Sequence, residues 1–168
     1  MINIRNEQVK ALLQKLINLF SASDYNLVIS QCKKYIKTYP EYVVLYNLLG
    51  SSYMNIGSYK LAKEIFKKTI KMDPSNISVM NNLANAEKSL FNFTDAEILY
   101  KKIIEKAPKY LNAYVNYGNL KRDLNKFNDS TELYKKALEI DKKHLIALYS
   151  LAMNLQSLGD FKLSTEYA

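Results

Sequence analysis

Tryptophan is absent from this 168-residue chain, and cysteine and histidine occur once each, as Cys32 and His144. A lone thiol excludes an internal disulfide. One imidazole 112 positions from one thiol gives no ligand spacing for zinc. Neither a metal nor any other cofactor is expected. Glycine occurs four times and proline three times, too few for a phosphate-cradling loop beside the turns that need them. No apolar run approaches the roughly 20 residues that cross a bilayer. Residues 1–10 lack the charged start, apolar core and small-residue cleavage site of a secretory signal. With so little cysteine, a cytoplasmic location is the expectation.

What is present is a period. Tyr25, Tyr59, Phe93, Phe127 and Phe161 follow one another at intervals of 34 residues. Pro40, Pro74 and Pro108 keep the same interval, as do the pairs Lys33-Lys34, Lys67-Lys68, Lys101-Lys102 and Lys135-Lys136. A fixed period of about 20–50 residues marks a repeat array, in which each supersecondary unit buries its apolar face on its neighbours. The reading is one array over 1–168: a divergent repeat at 9–42, full repeats at 43–76, 77–110 and 111–144, and a truncated repeat at 145–168.

Each repeat reads as two helices. In residues 6–21, Val9, Leu12, Leu13, Leu16, Ile17 and Phe20 recur at three- and four-residue spacing and form one apolar stripe. Tyr25, Val28, Ile29, Cys32 and Tyr35 do the same before Pro40. The next repeats carry Tyr46, Leu49, Gly50 and Tyr53, then Tyr59, Ala62, Phe66 and Ile70. They continue with Met80, Leu83, Ala84, Phe93, Ala96, Tyr100 and Ile103, then Tyr114, Tyr117, Gly118, Phe127, Ser130, Tyr134 and Ala137. Small residues such as Gly50, Ala62, Gly118 and Ser130 let paired helices approach and receive bulky aromatics. Before the five periodic aromatics stand Asp24, Ser58, Asn92, Lys126 and Asp160. All but Lys126 can cap a helix N-terminus. Burial of the periodic aromatics predicts that Phe93→Ala costs about 3–5 kcal/mol.

Tyr46, Leu49-Gly50, Tyr53, Gly57, Tyr59, Ala62, Phe66 and Pro74 together resemble the tetratricopeptide repeat signature in order and spacing. The resemblance covers nearly the whole chain and is strongest from Val43 to Asp141. Leu16 and Val28 depart from it in the first repeat, and Lys142 stands where the fourth repeat would have proline. It implies an all-α, right-handed solenoid of stacked antiparallel helix pairs. First helices would line a concave groove that takes an extended peptide or a partner's helix.

Along that groove the family's ligand-facing positions are Asn82 and Asn85, then Asn112, Asn116 and Asn119, with Asn47, Asn81 and Asn154 nearby and Tyr149 on the last first helix. An amide offers both donors and an acceptor, which suits the backbone of a bound peptide. Asn82 and Asn116 match the asparagine ladder of the O-linked N-acetylglucosamine transferase repeats, which Leu48 and Ser150 interrupt. The clamp that related repeats use for chaperone C-terminal carboxylates is missing. Asn47 and Ser51 replace its first pair, and Asn112 and Asn116 its last.

Nothing in the chain resembles a catalytic triad or an acid–base pair, so no enzyme activity is expected of it. The leading reading is a protein- or peptide-binding scaffold. Arrays similar to this often continue into a glycosyltransferase or sulfotransferase domain, so a recognition arm of a larger enzyme is the second. The four lysine pairs carry eight charges, equal to the net charge of +8. They raise a nucleic-acid or anionic-surface binder as the third reading. Self-association through the apolar edge of the last repeat is a further expectation.

Overall fold

The computed structural model describes the backbone of residues 2–167 and the side chains of residues 8–165 and of Tyr167. Met1 and Ala168, the ends of the sequence reading, lie outside the described residues. Ten helices and no strand occur among the described residues. The chain divides into two compact units, 1–90 and 91–168. The first unit holds α1 (Ile2–Ser21), α2 (Tyr25–Thr38), α3 (Val43–Asn55), α4 (Tyr59–Met72) and α5 (Ile77–Ser89). The second holds α6 (Phe93–Lys106), α7 (Leu111–Asp123), α8 (Phe127–Ile140), α9 (Leu145–Ser157) and α10 (Phe161–Glu166). Within each unit every helix packs on the next. First helices also touch one another, α1 with α3, α3 with α5, and α7 with α9. This is the all-α solenoid packing that the period predicts, with α1 beginning four residues before the expected start.

The core is not centred where the periodic aromatics suggest. Tyr25, Tyr59, Phe93 and Phe127 are half-buried, and Phe161 is 68% exposed. Full burial falls seven residues later, at Cys32, Phe66, Tyr100 and Tyr134, each 0% exposed. A side chain near a helix start covers the edge of the pair, whereas one two turns further on points into its middle. The close approach is made by glycine. A Cβ on Gly50 would overlap the Phe66 ring, and one on Gly118 would lie 2.6 Å from Tyr134 Cε1. In the second unit, hydroxyls bind the same helix pairs. Ser130 Oγ donates to the Gly118 carbonyl at 2.9 Å, and Ser164 Oγ to the Ala152 carbonyl at 3.1 Å. Cys32, in the core slot, is buried, and burial pushes its thiol up to about 12, so the thiol stays protonated.

The helix caps also differ from expectation. Among Asp24, Ser58, Asn92, Lys126 and Asp160, Asp160 alone makes a side-chain cap bond, to the Leu163 amide at 3.1 Å. The reason is visible at Ser58. Its φ of −82° and ψ of 57° make an inverse γ-turn, with Tyr59 N–H donating to the Gly57 carbonyl at 2.9 Å. That geometry engages a helix amide without the serine hydroxyl. Side-chain caps appear instead at first helices: Asn76 Oδ1 accepts from Val79 N, and His144 Nδ1 from Ala147 N. The single histidine is thereby assigned to a helix start.

Every first helix is followed by a left-handed residue, and these keep the same period: Ser23, Gly57, Phe91, Asn125 and Gly159. Glycine suits this conformation, and asparagine tolerates it. Phe91, with φ of 62°, is the misfit, and its ring is 78% exposed. Phe91→Gly is expected to raise stability by about 0.5–1 kcal/mol, because left-handed strain of about 1–2 kcal/mol outweighs the edge contact with Phe93 at 5.9 Å. A melting temperature that falls in that variant contradicts the strain.

Candidate functional site

Four expected groove residues have separate, readable surroundings. In the first unit, Asn82 on α5 reaches back one repeat, and its Nδ2 donates to Asn47 Oδ1 on α3 at 2.9 Å. Asn82 and Asn85 line a cleft of about 210 Å³ with Ser51, Met54, Asn55 and Phe20. In the second unit, half-buried Asn119 accepts the Tyr134 hydroxyl on its Oδ1 at 2.7 Å. Tyr149 on α9 is 66% exposed and lines a cleft of about 430 Å³ with Leu145, Leu148, Met153 and Tyr167. Asn112 is exposed on the first turn of α7, and Asn116 is half-buried on the same helix.

Two of the nearby asparagines are buried. Asn81 is 5% exposed, and Asn154 is fully buried. Asn154 Nδ2 donates to the Phe127 carbonyl and to Thr131 Oγ1, both at 2.7 Å, so it joins α9 to α8. The face of α9 is correspondingly apolar, with Ile146, Tyr149 and Met153 exposed.

Charge does something the sequence reading missed. Lys63 Nζ on α4 lies 2.8 Å from Glu87 Oε2 on α5, and Lys67 lies 3.9 Å from the other oxygen. One repeat later, in the second unit, the signs are exchanged. Glu97 on α6 meets Lys121 on α7 at 3.1 Å. Lys101 Nζ and the Tyr117 hydroxyl both reach Glu97 at 2.8 Å. Burial works to raise the Glu97 carboxyl, but hydrogen bonds from Lys101, Tyr117 and Lys121 outweigh it and hold it at about 2. Its stabilisation is complete above the ordinary value of 4.5 and is lost as pH falls toward 2. A partner 24 residues on, of opposite charge, was the available signal. The eight paired lysines of the period are all exposed.

No helix among the described residues is long and apolar enough to cross a membrane. No group of three or more His, Cys, Asp or Glu among them could hold a metal ion.

The fold has known counterparts. TTC0263, a thermophilic TPR protein of Thermus thermophilus, superposes with a TM-score of 0.84 at 16% identity, over 94% of this chain and 87% of that one. MamA from Desulfovibrio magneticus RS-1 gives 0.75 at 16% identity, over 94% and 89%. The first TPR of Spaghetti (RPAP3), bound to the HSP90 peptide SRMEEVD, gives 0.64 at 25% identity, over 70% and 93%. No curated protein matches the sequence. Tetratricopeptide repeat models match residues 43–76 and 111–144, and another model of the same description matches 77–107, together more than half the chain. The period, the helix pairs and these matches agree: the chain belongs to the tetratricopeptide repeat family.

Proposed function

We propose that the chain is a protein-interaction scaffold that holds an extended peptide against the asparagine-bearing faces of its first helices. The observation that carries this is the Asn47–Asn82 amide pair beside an open cleft lined by Ser51, Asn55, Asn82 and Asn85 together with Phe20 and Met54. The pair uses one donor and one acceptor. Asn82 keeps its Oδ1 and Asn47 its Nδ2 for a ligand, the complement of a peptide's N–H and C=O. Asn85 lines the same cleft as Asn82, and Asn112, Asn116 and Asn119 place further side-chain amides on α7. A tetratricopeptide neighbour holding a peptide supports peptides as the ligand class. The missing carboxylate clamp argues for backbone recognition over capture of an acidic tail.

A photo-crosslinking residue at position 112, which is exposed on α7, would identify a partner in cells. Asn82→Ala is then expected to weaken that partner about five- to tenfold, as loss of one or two hydrogen bonds predicts. Helicity should be unchanged. Unaltered affinity in an Asn82→Ala/Asn116→Ala variant overturns the reading.

A further inference from the structure

We propose that the first unit carries a second binding site, between its second helices, for a small amphiphilic carboxylate: a medium-length alkyl or aryl chain ending in one anionic group. A cavity of about 420 Å³ lies between α2 and α4 over α3. Ile36, Leu49, Leu61 and Ile65 give it an apolar lining, and Leu61 is 45% exposed to it and to solvent. Tyr46 and Tyr53 complete the lining. Three lysines, Lys33, Lys37 and Lys68, stand at its rim against one carboxylate, Glu64. This is the make-up of a small-molecule site: a few hundred cubic ångströms, mostly apolar, with a few convergent polar groups. The asparagine cleft, by contrast, has no charged side chain in its lining, and this site does not depend on the peptide reading.

The charge at the rim is what selects an anion. Four lysines recur at 33, 67, 101 and 135. Lys67 lies 3.9 Å from Glu87, Lys101 2.8 Å from Glu97 and Lys135 3.1 Å from Glu132. Lys33 alone of the four has no carboxylate at that range among the described residues. Its Nζ lies 5.6 Å from the Tyr53 ring centroid, and Tyr53 occupies the position that Glu87 holds one repeat later. Lys68 Nζ likewise lies 4.9 Å over Tyr46. An exposed cation over a ring face is held by only about 0.5–1 kcal/mol. Both ammonium groups therefore retain donors for a carboxylate, and charge-assisted bonds to one are the stronger kind. The chain of the ligand lies on the aliphatic and tyrosine surface, and its carboxylate sits between Lys33 and Lys68. The volume suits one such chain. A peptide helix or strand needs a longer surface.

The test uses the full chain at low ionic strength with two probes, 8-anilinonaphthalene-1-sulfonate and decanoate. The fluorescent probe is expected to saturate at one site and to be displaced by decanoate. Amide shift changes should cluster within residues 33–68. Lys33→Gln/Lys68→Gln should weaken both probes about tenfold. Lys101→Gln/Lys135→Gln removes the same net charge from positions that already have carboxylates, and should leave both affinities unchanged. Equal weakening by the two double variants overturns the proposal. So do failure of decanoate to displace the dye, shift changes centred on the α9 cleft, and absence of saturable binding. Circular dichroism confirms that each variant remains folded.

Discussion

Phe66→Ala is expected to lower the unfolding free energy by about 3–5 kcal/mol, and Phe161→Ala to change it by less than about 0.5 kcal/mol. The two residues look alike in the sequence, each an aromatic at a periodic position. Their surroundings separate them. Phe66 is 0% exposed and fills the space that Gly50 leaves on the facing helix, whereas Phe161 is 68% exposed. Phe93, half-buried, is expected to fall between them, which lowers the full core cost that its place in the period suggests. Urea titration followed by circular dichroism gives all three values. A Phe161 or Phe93 variant less stable than Phe66→Ala would return the core to the periodic aromatics. Gly50 sharpens the experiment. A Cβ at Gly50 overlaps the Phe66 ring, so Gly50→Ala alone must displace that ring or separate the helices. In a Phe66→Ala background the same methyl enters the vacated space. The two substitutions should therefore be strongly non-additive, with the double variant more stable than the sum of the singles predicts by about 1–3 kcal/mol.

The fold was legible because a solenoid repeats its instructions. Tyr46, Gly50, Phe66 and Pro74 recur in kind with a constant interval, and the helix bounds follow from them to within a few residues. What stayed hidden was conformation not tied to one residue type. Left-handed turns at Ser23, Phe91 and Asn125 lack the glycine that announces them at Gly57 and Gly159. Ser58 has capping chemistry, but the γ-turn there satisfies an amide through the backbone. Site chemistry was legible only in part. Asn82 could be placed on a groove-facing position from its spacing, but its pairing with Asn47 depends on how far apart α3 and α5 sit. Asn154 shares the residue type and the helix class, yet it is spent inside the α8–α9 contact. The cavity of Lys33 and Lys68 requires three helices at once, and no local pattern encodes that.

Reversing one charge at a repeat junction should be as damaging as emptying the core. Lys63→Glu places a second carboxylate against Glu87, whose side chain is 3% exposed. Uncompensated buried charge costs about 3–5 kcal/mol. Glu87→Lys should cost as much, because Lys63 and Lys67 then face a third ammonium group. The double variant Lys63→Glu/Glu87→Lys restores the pair with its polarity exchanged, and should recover most of the loss. Polarity is not fixed by the repeat itself. The next junction is naturally built the other way, with Glu97 before Lys121. The corresponding swap there, Glu97→Lys/Lys121→Glu, should recover less. Lys101 lies 2.8 Å from Glu97 and would repel its replacement, and Asp129 lies 3.7 Å from Lys121 and would repel the new carboxylate. Two urea titration cycles measure both couplings. If the single variants at 63 and 87 add without interaction, the pair does not hold α4 to α5. If they couple, the α4–α5 junction carries one sign and the α6–α7 junction the other, so a second helix with lysine at this position favours a first helix with glutamate.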